Sequence, residues 1–237
     1  MKALSGVIFM LLVSGADAMA ALDTEPMLRE LGGGAVPNVR ARDGLSPAVE
    51  AAAMEETRAN LKRLGLPERP KTASGKADAS SLEWPLLLDA GLPGTDRIIS
   101  VNFVDHDNRT PNQLRDYACG VRTYDTEAGY NHRGADLSLW PFAWQSMAQS
   151  AVAVVAAAPG TLVLKRDGNF DRNCSFDSPD TPNMVFIQHD DGTLGRYLHL
   201  KKNSVTERAI GSRIDVGEYL GTVGSSGIST GPHCSRC

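Results

Sequence analysis

The sequence predicts a mainly β protein, an antiparallel β-sandwich or open barrel, preceded by a short helical N-terminal region. Three observations carry this. From about residue 83 onward, short β-type runs alternate with Gly, Pro, Asn and Asp turns. Asp191-Gly192 separates two such runs, a strong short-range hairpin signal. Before residue 83 one stretch, AVEAAAMEETRANLKRLG, keeps a helical period.

The first twenty residues read as a signal peptide. Lys2 supplies the positive end, ALSGVIFMLLVSGA the apolar stretch, and Ala16-Asp17-Ala18 or Ala18-Met19-Ala20 an A-x-A cleavage site. The apolar run falls short of the ~20 residues that a membrane span needs. The expectation is an exported protein, periplasmic or secreted, with no membrane span after cleavage. Residues 21 to about 45 are polar and glycine-containing and read as mobile. Ser46-Pro47 then opens the helix, with Ser as N-cap and Pro at the first helical position. Val49, Ala53, Thr57, Leu61 and Leu64 fall on one face, and Gly65 and Pro67 end it. A packing or spacer helix is the reading. ERPKTASGKADASS is a linker by composition. The domain expectation is 1–20 signal peptide, 21–82 helical and linker region, and 83–237 a β domain incomplete at its C-terminus.

Within that last region RIISVNFVDH reads as a strand. AVAVVAAAPGTLVLKRDGN reads as two strands around Pro159-Gly160, NMVFIQHDDGTLGRYLHL as a hairpin, and GEYLGTVGSSG as a further short strand. The 237 residues have a formal net charge of -4 and no long basic run, which argues against nucleic acid. Export makes Cys119 and Cys174 a plausible disulfide. Cys234 and Cys237 form a C-x-x-C with nothing following, which disfavours a redox role.

Three pieces carry candidate chemistry. In NHRGAD, His132 and Asp136 stand four apart across Gly134, and imidazole and carboxylate are both good zinc donors. On spacing alone a surface His and a turn Asp is the favoured explanation of this pair. In RYLHL, strand alternation puts Tyr197 and His199 on one face, opposite Leu198 and Leu200. In GSSGISTGPH, glycine turns deliver His233 to the start of a new strand. His106 between Asp105 and Asp107 reads as exposed turn chemistry. His189 at the hairpin tip reads as solvated. DGNFDRNCSFDSPD lacks the EF-hand spacing and reads as an insertion loop pinned by Cys174.

HRGAD, YLHL and GSSGISTGPH, in that order, resemble the zinc metallopeptidases of the lysostaphin and LytM type, which cut peptide bonds in bacterial peptidoglycan. The resemblance covers roughly residues 98–233 and implies the duplicated hybrid motif fold. It implies Zn2+ as cofactor, with His132 and Asp136 as metal ligands. It implies catalytic roles for His199 and His233, which flank the metal-bound water and the scissile carbonyl and assist proton transfer. Zinc brings the pKa of bound water to about 7, and histidine titrates in the same range. The family's third ligand is the second histidine of H-x-H, and that position here is Ser235, in HCSRC. Cys234 lies on the opposite strand face from His233, whereas Cys237 could swing in. The expectation is a C-terminus altered by frameshift or truncation. Two functions stay open: a zinc endopeptidase for peptidoglycan cross-links, or a degenerate module that binds the wall or activates a partner hydrolase.

Overall fold

The structure is a computed structural model and describes residues 45–68, 81–88, 98–102, 134–174 and 181–236. Helix α1 spans Pro47–Leu64 and α2 Ala143–Ala148. The first strands are β1 (Leu86–Leu88), β2 (Ile98–Asn102), β3 (Ala135–Leu139), β4 (Val152–Val155) and β5 (Gly160–Arg166). They are followed by β6 (Asn183–His189), β7 (Leu194–Leu200), β8 (Arg213–Ile214), β9 (Tyr219–Thr222) and β10 (His233–Arg236). The signal peptide, the linker, His106, Cys119, His132 and Cys237 lie outside the described residues.

Pairing between these strands is antiparallel. One sheet has the order β2-β3-β10-β7-β6-β5-β8 and the other β1-β4-β9. Leu137, Val152, Val154, Leu162, Val185, Ile187, Tyr197, Leu200, Leu220 and Cys234 form a buried cluster drawing on both sheets. This is the sandwich that the alternating runs predict. The two strands around Pro159-Gly160 exist but do not pair with each other; the turn carries the chain from the small sheet to the large one. Tyr197 stitches this crossover, because its hydroxyl accepts the Ala157 N–H at 2.9 Å in a buried setting. Tyr197→Phe leaves that N–H without its acceptor, so we expect a loss of about 1–3 kcal/mol. A shifted urea midpoint at unchanged m-value measures it.

Helix α1 forms where the sequence places it. Ser46 Oγ accepts the Val49 N–H, and Gly65 closes the helix at φ 68° with Gly65 N and Leu66 N donating to Lys62 O and Leu61 O. Its face of Ala53, Thr57 and Leu61 is buried. Ala53 and Leu61 pack with Val163, Leu164, Met184, Phe186 and Leu198 on the outer face of the large sheet. Burying side chains of this size stabilises by about 1.5–3 kcal/mol each. Glu50 pairs with Arg196 at 3.0 Å and Glu56 with Arg166 at 2.7 Å, and Asn60 Nδ2 donates to Val163 O. The helix is therefore a third layer.

The β6–β7 hairpin turns where Asp191-Gly192 predicts, with Gly192 at φ 84° and Asp191 Oδ1 accepting from Thr193 N. His189 is not solvated, as its place at the tip suggests. It is 4% exposed, its Nδ1 lies 3.0 Å from Pro159 O, and Gly195 leaves room for the ring. Asp190 beside it bonds Arg213 of β8 through both carboxylate oxygens. That guanidinium holds the Asp190 carboxyl below its ordinary value. A lowered folded value means the pair stabilises above the ordinary carboxylate range and the contribution drains away as pH falls through the lowered value. Both groups are half exposed, so Asp190→Asn should cost under about 1 kcal/mol. Urea unfolding at several pH values should show the difference vanish in acid.

The segment after β5 is held by its aspartates rather than by Cys174, which is an exposed free thiol whose expected partner lies outside the described residues. Asp167 accepts from Asn203 N and Val205 N, and Asp171 from Lys202 N. Helix α2 and the short strands β1 and β8 go beyond the elements read from the sequence. Each is too short to carry a period. Among the described residues no helix is long and apolar enough to cross a membrane.

Candidate active site

The site is set by β3, β10 and the end of β7. β10 lies between the other two, with Asp136 opposite Ser235, Leu137 opposite Cys234, and Ser138 opposite His233. Side chains directly opposite share a face and lie about 4.5–5.5 Å apart at Cβ. Cys234 and Leu137 both join the core between the sheets. Alternation then puts Asp136, His233 and Ser235 on the outer face. Leu198, opposite Ser235 on the other side, packs under α1 on that same face. Cys234 is thus turned away from His233, as alternation predicts.

His199 reaches this group by breaking the alternation. The β6–β7 register steps from Asn183↔Leu200 to Val185↔Tyr197, so β7 carries one extra residue there. His199 is that bulge, at φ 61°. Tyr197 and Leu200, three apart, both enter the inter-sheet core, whereas Leu198 packs under α1. The expected pairing of Tyr197 with His199 on one face, opposite Leu198 and Leu200, is therefore overturned. A left-handed backbone in a non-glycine residue costs on the order of 1–3 kcal/mol, although histidine tolerates it better than most. The bend brings the His199 ring to 4.5 Å from that of His233, centroid to centroid, with planes 37° apart.

Asp136 and His199 are fully buried, His233 is 4% exposed and Ser235 3%. His199 Nδ1 lies 2.7 Å from Ser226 O, and His233 Nδ1 2.8 Å from Gly231 O. Carbonyls only accept, so each Nδ1 carries a proton, and in the neutral ring Nε2 holds the lone pair. In either ring, when neutral, Nε2 is therefore the nitrogen that can accept a proton. The sequence reading takes GSSGISTGPH as glycine turns and passes over its serines. Ser225, Ser226 and Ser229 are fully buried, and Ser229 Oγ bonds Gly231 O at 2.8 Å and lies 3.4 Å from His233 Nδ1. A run of hydroxyls between strand and histidine is the signal, because buried hydroxyls must find partners.

A catalytic zinc normally takes three protein ligands. Among the described residues, no three His, Cys, Asp or Glu side chains gather as a metal cluster. Of the expected ligands, Asp136 lies on β3 and His132 lies outside the described residues, and Ser235 stands directly across from Asp136. A neutral hydroxyl is a poor zinc donor next to imidazole and carboxylate. The described donors do not complete a catalytic zinc set.

The fold and site define a β-sandwich domain with a buried Asp-His-His group at the meeting of three strands. Residues 132–235 match the model for peptidase family M23, in keeping with the resemblance to the lysostaphin and LytM type. Over 74 residues, 31% of this chain and 19% of the relative, it is 35% identical to an "Uncharacterized metalloprotease" of Buchnera aphidicola. Over 51 residues, 22% of this chain and 11% of the relative, it is 39% identical to the peptidoglycan DD-endopeptidase ShyC of Vibrio cholerae. The matched stretches are therefore less than a fifth of either relative's length. Among solved structures, the catalytic domain of lysostaphin from Staphylococcus simulans aligns with a TM-score of 0.32 and 22% identity, covering 46% of this chain and 66% of that one.

Proposed function

We propose that the site is that of a zinc-dependent endopeptidase for the peptide cross-links of bacterial peptidoglycan, left one ligand short by Ser235. The protein acts outside the cytoplasm, periplasmic or secreted. His132 and Asp136 are its metal ligands, and His199 and His233 its proton-handling groups. The observation that carries the reading is the register of β10: Ser235 lies directly across from Asp136, two residues from His233 on the same face. Zinc, where bound, would supply an acidified water. The two imidazoles, each with its proton on Nδ1, would take and return a proton at Nε2.

Ser235 also supports a second reading of the same groove, a non-catalytic module that binds the wall or activates a partner hydrolase. Purified sacculi test the groove that both readings share. The unaltered chain is expected to sediment with sacculi and to leave their turbidity unchanged, with or without zinc. Clearing by the unaltered chain that disappears in His132→Ala would show that Ser235 does not block hydrolysis. Failure to bind sacculi would remove both readings.

A further inference from the structure

The serines of GSSGIST have no role in the chemistry proposed above, and one of them sits at a junction. Ser226 is fully buried. Its Oγ donates to Leu200 O at 2.8 Å and accepts the Asn183 N–H at 2.9 Å. Asn183 Nδ2 donates to the same Leu200 carbonyl at 3.0 Å. These bonds tie the start of β6, the end of β7 and the loop before β10 at one point. They flank the extra residue of β7, which is His199. The backbone carbonyl of Ser226 in turn accepts from His199 Nδ1 at 2.7 Å.

We propose that Ser226 is a positioning residue for His199: its hydroxyl anchors the loop so that its own carbonyl selects the Nδ1–H tautomer. A bulge residue in the left-handed region has no ladder neighbour to define where its ring points. An accepting carbonyl at Nδ1 constrains the ring's direction and sets which nitrogen keeps the lone pair. His233 is held differently, by Gly231 O within its own turn. Loss of the Ser226 hydroxyl should therefore disturb one ring and spare the other. The importance of this for hydrolysis rests on the peptidase reading of His199; the tautomer itself does not.

The test is long-range nitrogen–proton NMR of the histidine side chains in the full-length, chelator-treated chain, with His199→Gln and His233→Gln to assign signals. In the unaltered protein, His199 should give the widely split nitrogen pair of a neutral ring protonated at Nδ1. In Ser226→Ala the split should collapse toward the averaged value of exchanging tautomers, with His233 unchanged. Ser226→Thr, which keeps the hydroxyl, should restore it. An unaltered His199 protonated at Nε2 overturns the proposal, as does a Ser226→Ala spectrum identical to the original. Should Ser226→Ala unfold, seen as loss of the His233 signals as well, Ser226→Cys keeps the volume without the strong hydroxyl. It must then show the same selective collapse, and an undisturbed His199 there is equally fatal. A peptidase reading that fails on sacculi leaves these spectra as they are, so the two outcomes are separable.

Discussion

Ser235→His should give the chain zinc-dependent clearing of peptidoglycan well beyond that of the unaltered protein. Position 235 is buried on the outer face of the large sheet, paired with Asp136 and two residues beyond His233. An imidazole there adds a donor beside the Asp136 carboxylate. The ~10–16 kcal/mol of a four-ligand structural zinc site, spread over its ligands, is roughly 3 kcal/mol each. One ligand is therefore worth on the order of a hundredfold in affinity. The gain should vanish when His132→Ala or Asp136→Asn is combined with Ser235→His. His199→Ala combined with Ser235→His should keep zinc while losing turnover, if His199 handles protons as proposed and is not a ligand. Clearing rate of sacculi together with metal content of the same samples checks all four variants.

Gly224→Ala should be strongly damaging for the addition of one methyl. A Cβ at 224 would run into the backbone where Leu200 meets Lys201, with the Leu200 carbonyl carbon at 2.6 Å. Backbone cannot step aside as the tip of a side chain can, so the 224–226 segment must lift off β7. That segment carries the carbonyl that holds His199, and Gly224 O accepts the His233 N–H at 3.0 Å. Overpacking of this kind costs about 3 kcal/mol. For a chain of this size that is a fall of roughly 6–12 °C in Tm. Thermal unfolding measures the loss. In Ser235→His as background, the same substitution should cut turnover more than it weakens zinc binding, since it displaces the two imidazoles and leaves Asp136 in place.

The parts of the fold written in local chemistry were legible. Ser46, Pro47 and Gly65 mark the ends of α1 because caps are local. Asp191-Gly192 marks the hairpin because turn geometry is local. His233 at the start of β10 follows from the glycine and proline that precede it. Long-range packing overrode the sequence at particular residues. His199 was assigned to a strand face by alternation, and one inserted residue in β7 sends it elsewhere. A bulge leaves no mark in a period of two until the partner strand is known. His189 at a hairpin tip reads as solvated because such tips are exposed; Pro159 from the β4–β5 turn and the bare Gly195 make a place for it. The serines before His233 acquire meaning only once Leu200 and Asn183 arrive beside them. Ser235 is the converse case: its departure from H-x-H is plain in the sequence, but its position beside Asp136 needed the β3–β10 register.

The most direct measurement is a chelator-competition zinc titration of the unaltered chain, Ser235→His, and Ser235→His combined with Asp136→Asn. Convergence of 132, 136 and 235 on one ion predicts about hundredfold tighter, one-to-one binding in Ser235→His, lost again when Asp136→Asn is added. Equal affinity in all three proteins, or tight one-to-one zinc in the unaltered chain, would contradict it.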